Sequence, residues 1–377
     1  MAPSAITPDV VPTVTGTGKS RLTKADHGYL DTSNDVVADY TTTEIRGNAE
    51  ILTAASTKTY GDWRDDFFKK GYHVAKGAIP RERAESYRQR MLDWFANIAS
   101  SVPSVSDKAF SYDDRSTWTQ AHLPMMMKGG MIINYCAAHE AWAWELRSEP
   151  GVIEPFAQLW GDSELLVSFD APNVTLPGRT DVPWSPWPHV DQSPTRKGLA
   201  CVQGIINLSP AGPKDGGLLL YQGSSALFDQ FFAENPPRAK VEGQPGQVDF
   251  YAFTEQDVEW FKQRGGCKLV KICAEPGDVI IWDSRTVHYA ALPESDIIRT
   301  IQYATYAPRK LATETDLALK AELFRKHEAS THWPHCNIWG NGKAMRDGRI
   351  CPAERDEPIE KPEITDTVLK LAGLKEY

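Results

Sequence analysis

The chain has 377 residues, of which 41% are hydrophobic, enough to bury a sizeable core in one large domain or two ordinary ones. A formal net charge of -9 argues against nucleic acid or an acidic membrane as the main partner. No apolar run approaches the roughly 18 residues of a membrane span, and the six cysteines form no CxxC.

The first residues, Met1 to Pro12, lack an apolar signal-peptide core, and the chain ends in Lys-Glu-Tyr377 rather than a peroxisomal signal, so the expectation is a cytoplasmic enzyme with reduced cysteines. Residues 1–55 are rich in Thr, Ser, Pro, Asp and Gly and read as a flexible arm. Within them GTGKS (16–20) has the end of a phosphate loop but neither its first glycine nor a preceding strand. The expectation for 56–377 is a single domain. It opens with a helix over 62–70, a short strand over 72–76, and a long helix from Pro80 to about Ile98. The apolar positions Ala84, Tyr87, Met91, Trp94, Phe95 and Ile98 of that helix follow helical spacing. Further helices are expected over 137–147 and after Pro150. From about 165 the pattern changes to strands: 165–170, 199–208, 217–221, 268–272, 279–282, 286–291 and 299–306. Turn clusters such as Glu275-Pro-Gly-Asp278 punctuate them. An amphipathic helix over 311–328 packs on this sheet in one reading and forms a homodimer contact in another. A short helix over 365–373 closes a polar C-terminal extension. The whole predicts a mainly β fold with flanking helices around a jelly-roll core at about 165–310.

Two histidines and an aspartate carry the chemistry. In an extended segment, residues i and i+2 share a face, so His189 and Asp191 of His189-Val-Asp191 can offer an imidazole and a carboxylate to one ion. His288 falls in GDVIIWDSRTVHY (277–289), where an apolar strand should turn it inward. Two histidines and one carboxylate leave open positions, which suits Fe(II) oxygenases; structural zinc asks for four protein ligands, usually including thiolates. Arg299 follows eleven residues after His288. If 293–296 is a hairpin loop, 288 pairs with 301 and 290 with 299. Arg299 then shares the face of His288 and can grip a carboxylate bidentately at a fixed distance from the metal. A one-residue slip would turn it outward.

This set resembles the phytanoyl-CoA dioxygenase family. The similarity runs from about Phe67 to Arg309. It includes Phe67-Phe-Lys-Lys-Gly-Tyr-His-Val-Ala-Lys-Gly-Ala-Ile-Pro80 and Gly216-Gly-Leu-Leu-Leu-Tyr-Gln-Gly-Ser224, while WPHVDQSP (187–194) and CVQGIINLSP (201–210) are similar to a fungal branch. The resemblance implies a double-stranded β-helix (the cupin-like jelly roll), iron on His189, Asp191 and His288, O2, and 2-oxoglutarate with its far carboxylate on Arg299. The chain departs from the family at Ser225, where many members have histidine, at Leu218, where several fungal members have a cosubstrate-binding threonine, and at Trp187, where some carry a polar residue. Gln203 and Ser284 are the substitutes expected to support the cosubstrate.

Phe169, Asp170, Asn173 and Trp187 are the candidates for substrate contact, and Trp184 with Trp187 for a lid. Trp282 and Tyr303 read as core. Arg285 and Arg309 read as solvated arginines, with an anionic substrate as the alternative. His332-Trp-Pro-His335 reads as a loop folding over the site mouth rather than a second metal pair. The expected reaction is hydroxylation, desaturation or cyclisation of a small organic metabolite at an unactivated C–H. Two other classes stay open: a cupin-like zinc or manganese isomerase or hydrolase that does not use O2, and an inactive jelly-roll binding protein.

Overall fold

The computed structural model describes residues 58–102, 108–237 and 249–377. The expected arm over 1–55, with its GTGKS, lies outside the described residues. Helix α1 (Trp63–Lys70) is capped by the Asp62 carboxylate, which accepts from the Arg64 N–H, and ends at Gly71 in the left-handed region (φ 86°). A Cβ on Gly71 would sit 2.4 Å from Thr286 Oγ1, so both the turn and the packing ask for glycine. Strand β1 (Tyr72–Ala75) and helix α2 (Arg81–Ser100) follow. Helix α2 buries the stripe expected of it, from Ala84 to Ile98. It packs against α3 (Ala141–Ser148), which is followed by α4 (Pro150–Trp160); Trp142 and Trp144 of α3 are fully buried.

The strands then alternate between two antiparallel sheets. After β2 (Leu165–Val167) come β3 (Pro172–Thr175), β4 (His189–Val190), β5 (Val202–Asn207) and β6 (Gly217–Gln222). Helix α5 (Phe228–Glu234), β7 (Tyr251–Ala252) and α6 (Glu255–Gly265) precede β8 (Lys268–Lys271), β9 (Val279–Asp283), β10 (His288–Ala291), β11 (Arg299–Tyr303) and β12 (Tyr306–Pro308). One sheet has the order β1-β9-β5-β11-β3 and the other β7-β4-β10-β6-β8. Taking β3, β4, β5, β6, β8, β9, β10 and β11 in turn, the chain visits first sheet, second, first, second, second, first, second, first. That alternation is the winding of a jelly roll, here a double-stranded β-helix with β1 and β7 as extra edge strands. Between the sheets lies an apolar plug that includes Ile205, Leu218, Leu220, Ile280, Trp282 and Ile301. A larger core, in which α2, α3 and α4 participate, backs the first sheet.

This topology corrects one step of the sequence reading. Strands β10 and β11 do not form a hairpin: β10 pairs with β4 and β6, and β11 pairs with β3 and β5. The segment between them crosses from one sheet to the other. Arg299 still faces inward, because it shares a strand face with Ile301, two residues on, which belongs to the plug.

Helix α7 (Glu314–Arg325), the hairpin β13 (Met345–Arg346) and β14 (Arg349–Ile350), and α8 (Asp366–Leu371) complete the fold. No helix among the described residues is long and apolar enough to cross a membrane.

Candidate metal centre

His189 on β4 and His288 on β10 are directly opposed residues of neighbouring antiparallel strands. That register brings their rings to 4.3 Å between centroids. Each ring is locked by its own strand: His189 Nδ1 meets the Trp187 carbonyl at 3.0 Å and His288 Nδ1 meets the Thr286 carbonyl at 2.8 Å. With Nδ1–H donated to a carbonyl, Nε2 is left as the lone-pair nitrogen on both rings. Asp191 lies just beyond β4, its backbone N–H held by the Ser284 carbonyl at 3.0 Å. Its Oδ2 lies 3.5 Å from His189 Nε2 and 3.3 Å from His288 Nε2. The three ligand atoms fall within 4.8 Å of one another, the only such metal-compatible group among the described residues.

The residues fit a divalent ion. Donors about 3 Å apart can each reach one ion at about 2 Å on three adjacent corners of its coordination sphere. Burial, then the neighbouring His288, pushes His189 down to about 4, so its imidazole is neutral at pH 7 as a ligand must be. A carboxylate and two imidazoles bound to an ion through Nε2 bring one negative charge between them, which leaves a divalent ion positive charge for an anionic ligand. Trp187 stacks on His189 at 4.2 Å and 10°, Phe250 stacks at 5.2 Å, and Trp282 sets its edge toward His288 at 5.5 Å. The site therefore sits in an aromatic collar.

The residues expected around the triad divide in two. Gln203 donates Nε2–H to Asp191 Oδ2 at 2.9 Å, so it orients a ligand; its Oε1 is buried without a partner. Ser284 donates its hydroxyl to Gln192 Oε1 at 3.0 Å and is fully buried. Asn173 Oδ1 accepts from Arg299 Nη1 at 3.1 Å and from the Thr175 hydroxyl at 2.7 Å. Phe169 belongs to an aromatic core with His139, Trp144 and Phe324. Asp170, Trp187 and the His332 loop stay near the triad: Asp170 and His332 both act electrostatically on Asp191, or it on them. Trp184 is 42% exposed and donates its indole N–H to the Ala290 carbonyl. Arg285 is paired with Asp283, and Arg309 donates to the Gly373 carbonyl. His332 and His335 do not form a second metal group.

Arg299 is 5% exposed, and among the described residues no carboxylate lies within 4.0 Å of it. Its guanidinium crosses the interior to the opposite sheet, where a Cβ on Gly217 (φ 93°) would meet Nε at 2.9 Å. Tyr303, read from sequence as core, lies beside it, with its hydroxyl close to both Arg299 and Asn173. Two residues of the site escaped the sequence reading. Lys128 stands in the left-handed region (φ 50°) at the tip of the Met127–Gly130 turn and places its ammonium 3.7 Å from the centre of the Trp187 ring. Lys271, pushed down to about 8 chiefly by burial and further by Arg299, adds a second cation on the Arg299 side. The Lys128-Gly129 pair between methionines was the one available signal, as a tight-turn dipeptide with glycine second.

Fold and site together define a jelly-roll protein with a candidate two-histidine, one-carboxylate metal centre. The chain belongs to the family of the Ava biosynthesis cluster protein O of Aspergillus versicolor, to which it is 42% identical over 277 residues, spanning 73% of this chain and 87% of that one. No family model matches it. Among solved structures it is similar to the epimerase SnoN in complex with Fe3+, alpha ketoglutarate and nogalamycin RO (15% identical, TM-score 0.45, covering 70% of this chain and 85% of that one). It is also similar to EctD from S. alaskensis with bound Fe (14% identical, TM-score 0.45, covering 79% and 89%). Likeness at this level says nothing about the reaction, which has to be read from the residues.

Proposed function

We propose that the protein is an Fe(II)- and 2-oxoglutarate-dependent oxygenase that hydroxylates, desaturates or cyclises a small organic metabolite at an unactivated C–H. The observation that carries this is Arg299. A buried guanidinium with no carboxylate partner is costly, on the order of several kcal/mol. A dicarboxylic cosubstrate relieves that cost: one end meets the metal and the other meets Arg299, with Asn173 and Tyr303 fixing the guanidinium plane. A cupin-like isomerase or hydrolase has no use for such an anchor. Bound Fe(II) would supply the open positions at which 2-oxoglutarate and O2 react, coupling loss of CO2 and formation of succinate to oxidation of the substrate. The protein's own share is to hold three ligands with neutral, oriented imidazoles and to keep water out with the aromatic collar.

The same reading places the chain in the phytanoyl-CoA dioxygenase family, as a tailoring enzyme of secondary metabolism; the name of its Aspergillus relative, a biosynthesis cluster protein, supports that setting. A cytoplasmic location and action as a single domain, alone or as a homodimer, belong to the proposal. Anaerobic addition of Fe(II) and 2-oxoglutarate should produce a weak visible charge-transfer band. Arg299→Ala should weaken 2-oxoglutarate binding about a hundred-fold, as expected for a bidentate charged pair of about 3 kcal/mol, and leave Fe(II) binding intact. His189→Ala should lose the metal. Metal-replete protein that shows no band, or undiminished succinate release by His189→Ala, overturns the proposal.

A further inference from the structure

A second acid, Asp170, is buried near the triad without a cationic partner, and burial raises its carboxyl above the ordinary carboxylate range. Asp170 is 8% exposed, and among the described residues no Lys, Arg or His nitrogen lies within 4.0 Å of its carboxylate. Its Oδ1 accepts the Ala171 N–H at 2.7 Å. Its backbone is clamped: the Asp170 carbonyl accepts from Arg147 at 2.6 Å and from Gln302 Nε2 at 2.9 Å. The carboxylate is thus held in place by a buried arginine that does not itself neutralise it. His332 lies on the C-terminal loop that pairs with this segment, the Ser330 N–H donating to the Phe169 carbonyl at 2.8 Å and the Phe169 N–H to the Ser330 hydroxyl at 3.1 Å, and its Nε2 is buried without any hydrogen-bond partner. Lys128, the cation that acts on Asp191, is set against the Trp187 ring and does not pair with Asp170.

We infer that Asp170 and His332 form the substrate anchor, and that the group they take is a cationic nitrogen of the substrate, a protonated amine. This rests on the oxygenase reading for the identity of the neighbouring site, and it adds the substrate's chemical class. An ammonium carries three donors and no acceptor, so one donor can meet Asp170, and another can meet His332 Nε2 when that ring is neutral with its proton on Nδ1. A buried carboxylate left without a cation costs free energy, which a cationic ligand repays. A carboxylate-bearing substrate would instead place like charges together.

Matched pairs of small probes test this on the full-length protein, held anaerobic with Fe(II) and saturating 2-oxoglutarate so that Arg299 is already occupied. Tryptamine is compared with indole-3-propionate, and benzylamine with benzoate, by calorimetry. The amine of each pair should bind about ten-fold or more tightly than its acid, the effect of one charge-assisted hydrogen bond. Asp170→Asn should erase that preference while 2-oxoglutarate affinity stays within about two-fold, which also shows that the variant is folded. His332→Phe should weaken the amines and leave 2-oxoglutarate untouched. A preference for acids, no preference, no binding by either amine, or a preference that survives Asp170→Asn overturns the inference. Failure of the wild-type protein to bind 2-oxoglutarate instead defeats the oxygenase reading.

Discussion

At the scale of single residues, the site is built by groups that hold other groups. The histidines are aimed by backbone carbonyls two residues earlier, Trp187 and Thr286. That spacing follows from strand geometry, and the same geometry made His189-Val-Asp191 readable in the sequence. What the sequence could not show is which neighbours touch the ligands, since those contacts come from other strands. Gln203 is the clear case: it was expected at the cosubstrate, and its amide also donates to Asp191 Oδ2, a contact that its own strand did not announce. Its amide biases that oxygen's lone pairs and restrains the carboxylate. Gln203→Leu should therefore lower metal affinity about 10- to 100-fold, the usual cost of losing a hydrogen bond to a ligand, without unfolding the protein. A competition titration with a chelator measures it; unchanged affinity would place Gln203 outside the metal's support.

At the scale of elements, strands and helices differed in legibility for identifiable reasons. The apolar strands β5, β6 and β9 stood out because they are β-branched or leucine-rich. Strand β3 did not, because Pro172-Asn-Val-Thr175 carries a proline and little apolar surface. Helix α6 was missed although Thr254-Glu-Gln-Asp257 forms a capping box in which Thr254 and Asp257 satisfy each other's backbone N–H groups. Helix α7 was seen, but not that it buries a lysine. Lys320 is 1% exposed, donates to the Val167 carbonyl at 2.7 Å and lies 4.1 Å from the centre of the Phe169 ring. Burial, then Arg147, pushes it down to about 7. The folded pKa lies below the unfolded value, so between about pH 7 and 10.5 the unfolded chain binds the extra proton and stability rises with pH. Below pH 7 the charged lysine destabilises the fold by the full amount. Lys320→Met should then stabilise the protein at pH 7 by on the order of 3–5 kcal/mol, at about 1.4 kcal/mol per pKa unit. The gain should shrink towards pH 10.5 in urea denaturation; a gain that does not change with pH would show that Lys320 stays charged in the fold.

At the scale of the whole molecule, the C-terminal extension is tied to the segments that flank the triad. The jelly roll was legible from strand spacing, but the pairing of β10 with β4 was not, because sequence distance favours the hairpin partner and the fold chooses the opposite sheet. The extension was legible only as a polar loop over the mouth. Its fastening depends on Asp249, which accepts from Arg196 at 2.6 and 2.9 Å, from the Ser193 N–H at 3.0 Å and from Asn337 at 3.0 Å. Arg196 in turn lies 4.8 Å from the centre of the Trp333 ring. One buried ion pair thus joins the loop after Asp191, the segment whose Phe250 stacks on His189, and the loop that carries His332. Removing one partner leaves the other charge uncompensated, so Asp249→Ala should cost about 3–5 kcal/mol. Replacing both, with Arg196→Met and Asp249→Leu, should recover much of that stability, because the desolvation penalty disappears with the charges. The double variant should nonetheless bind metal less tightly than wild type, since Ser193 and Asn337 lose their acceptor and the two loops are no longer registered against each other. Denaturation and metal titration on all four members of the cycle separate these effects. A double variant that regains both stability and metal affinity would mean that packing alone seats the extension over the site.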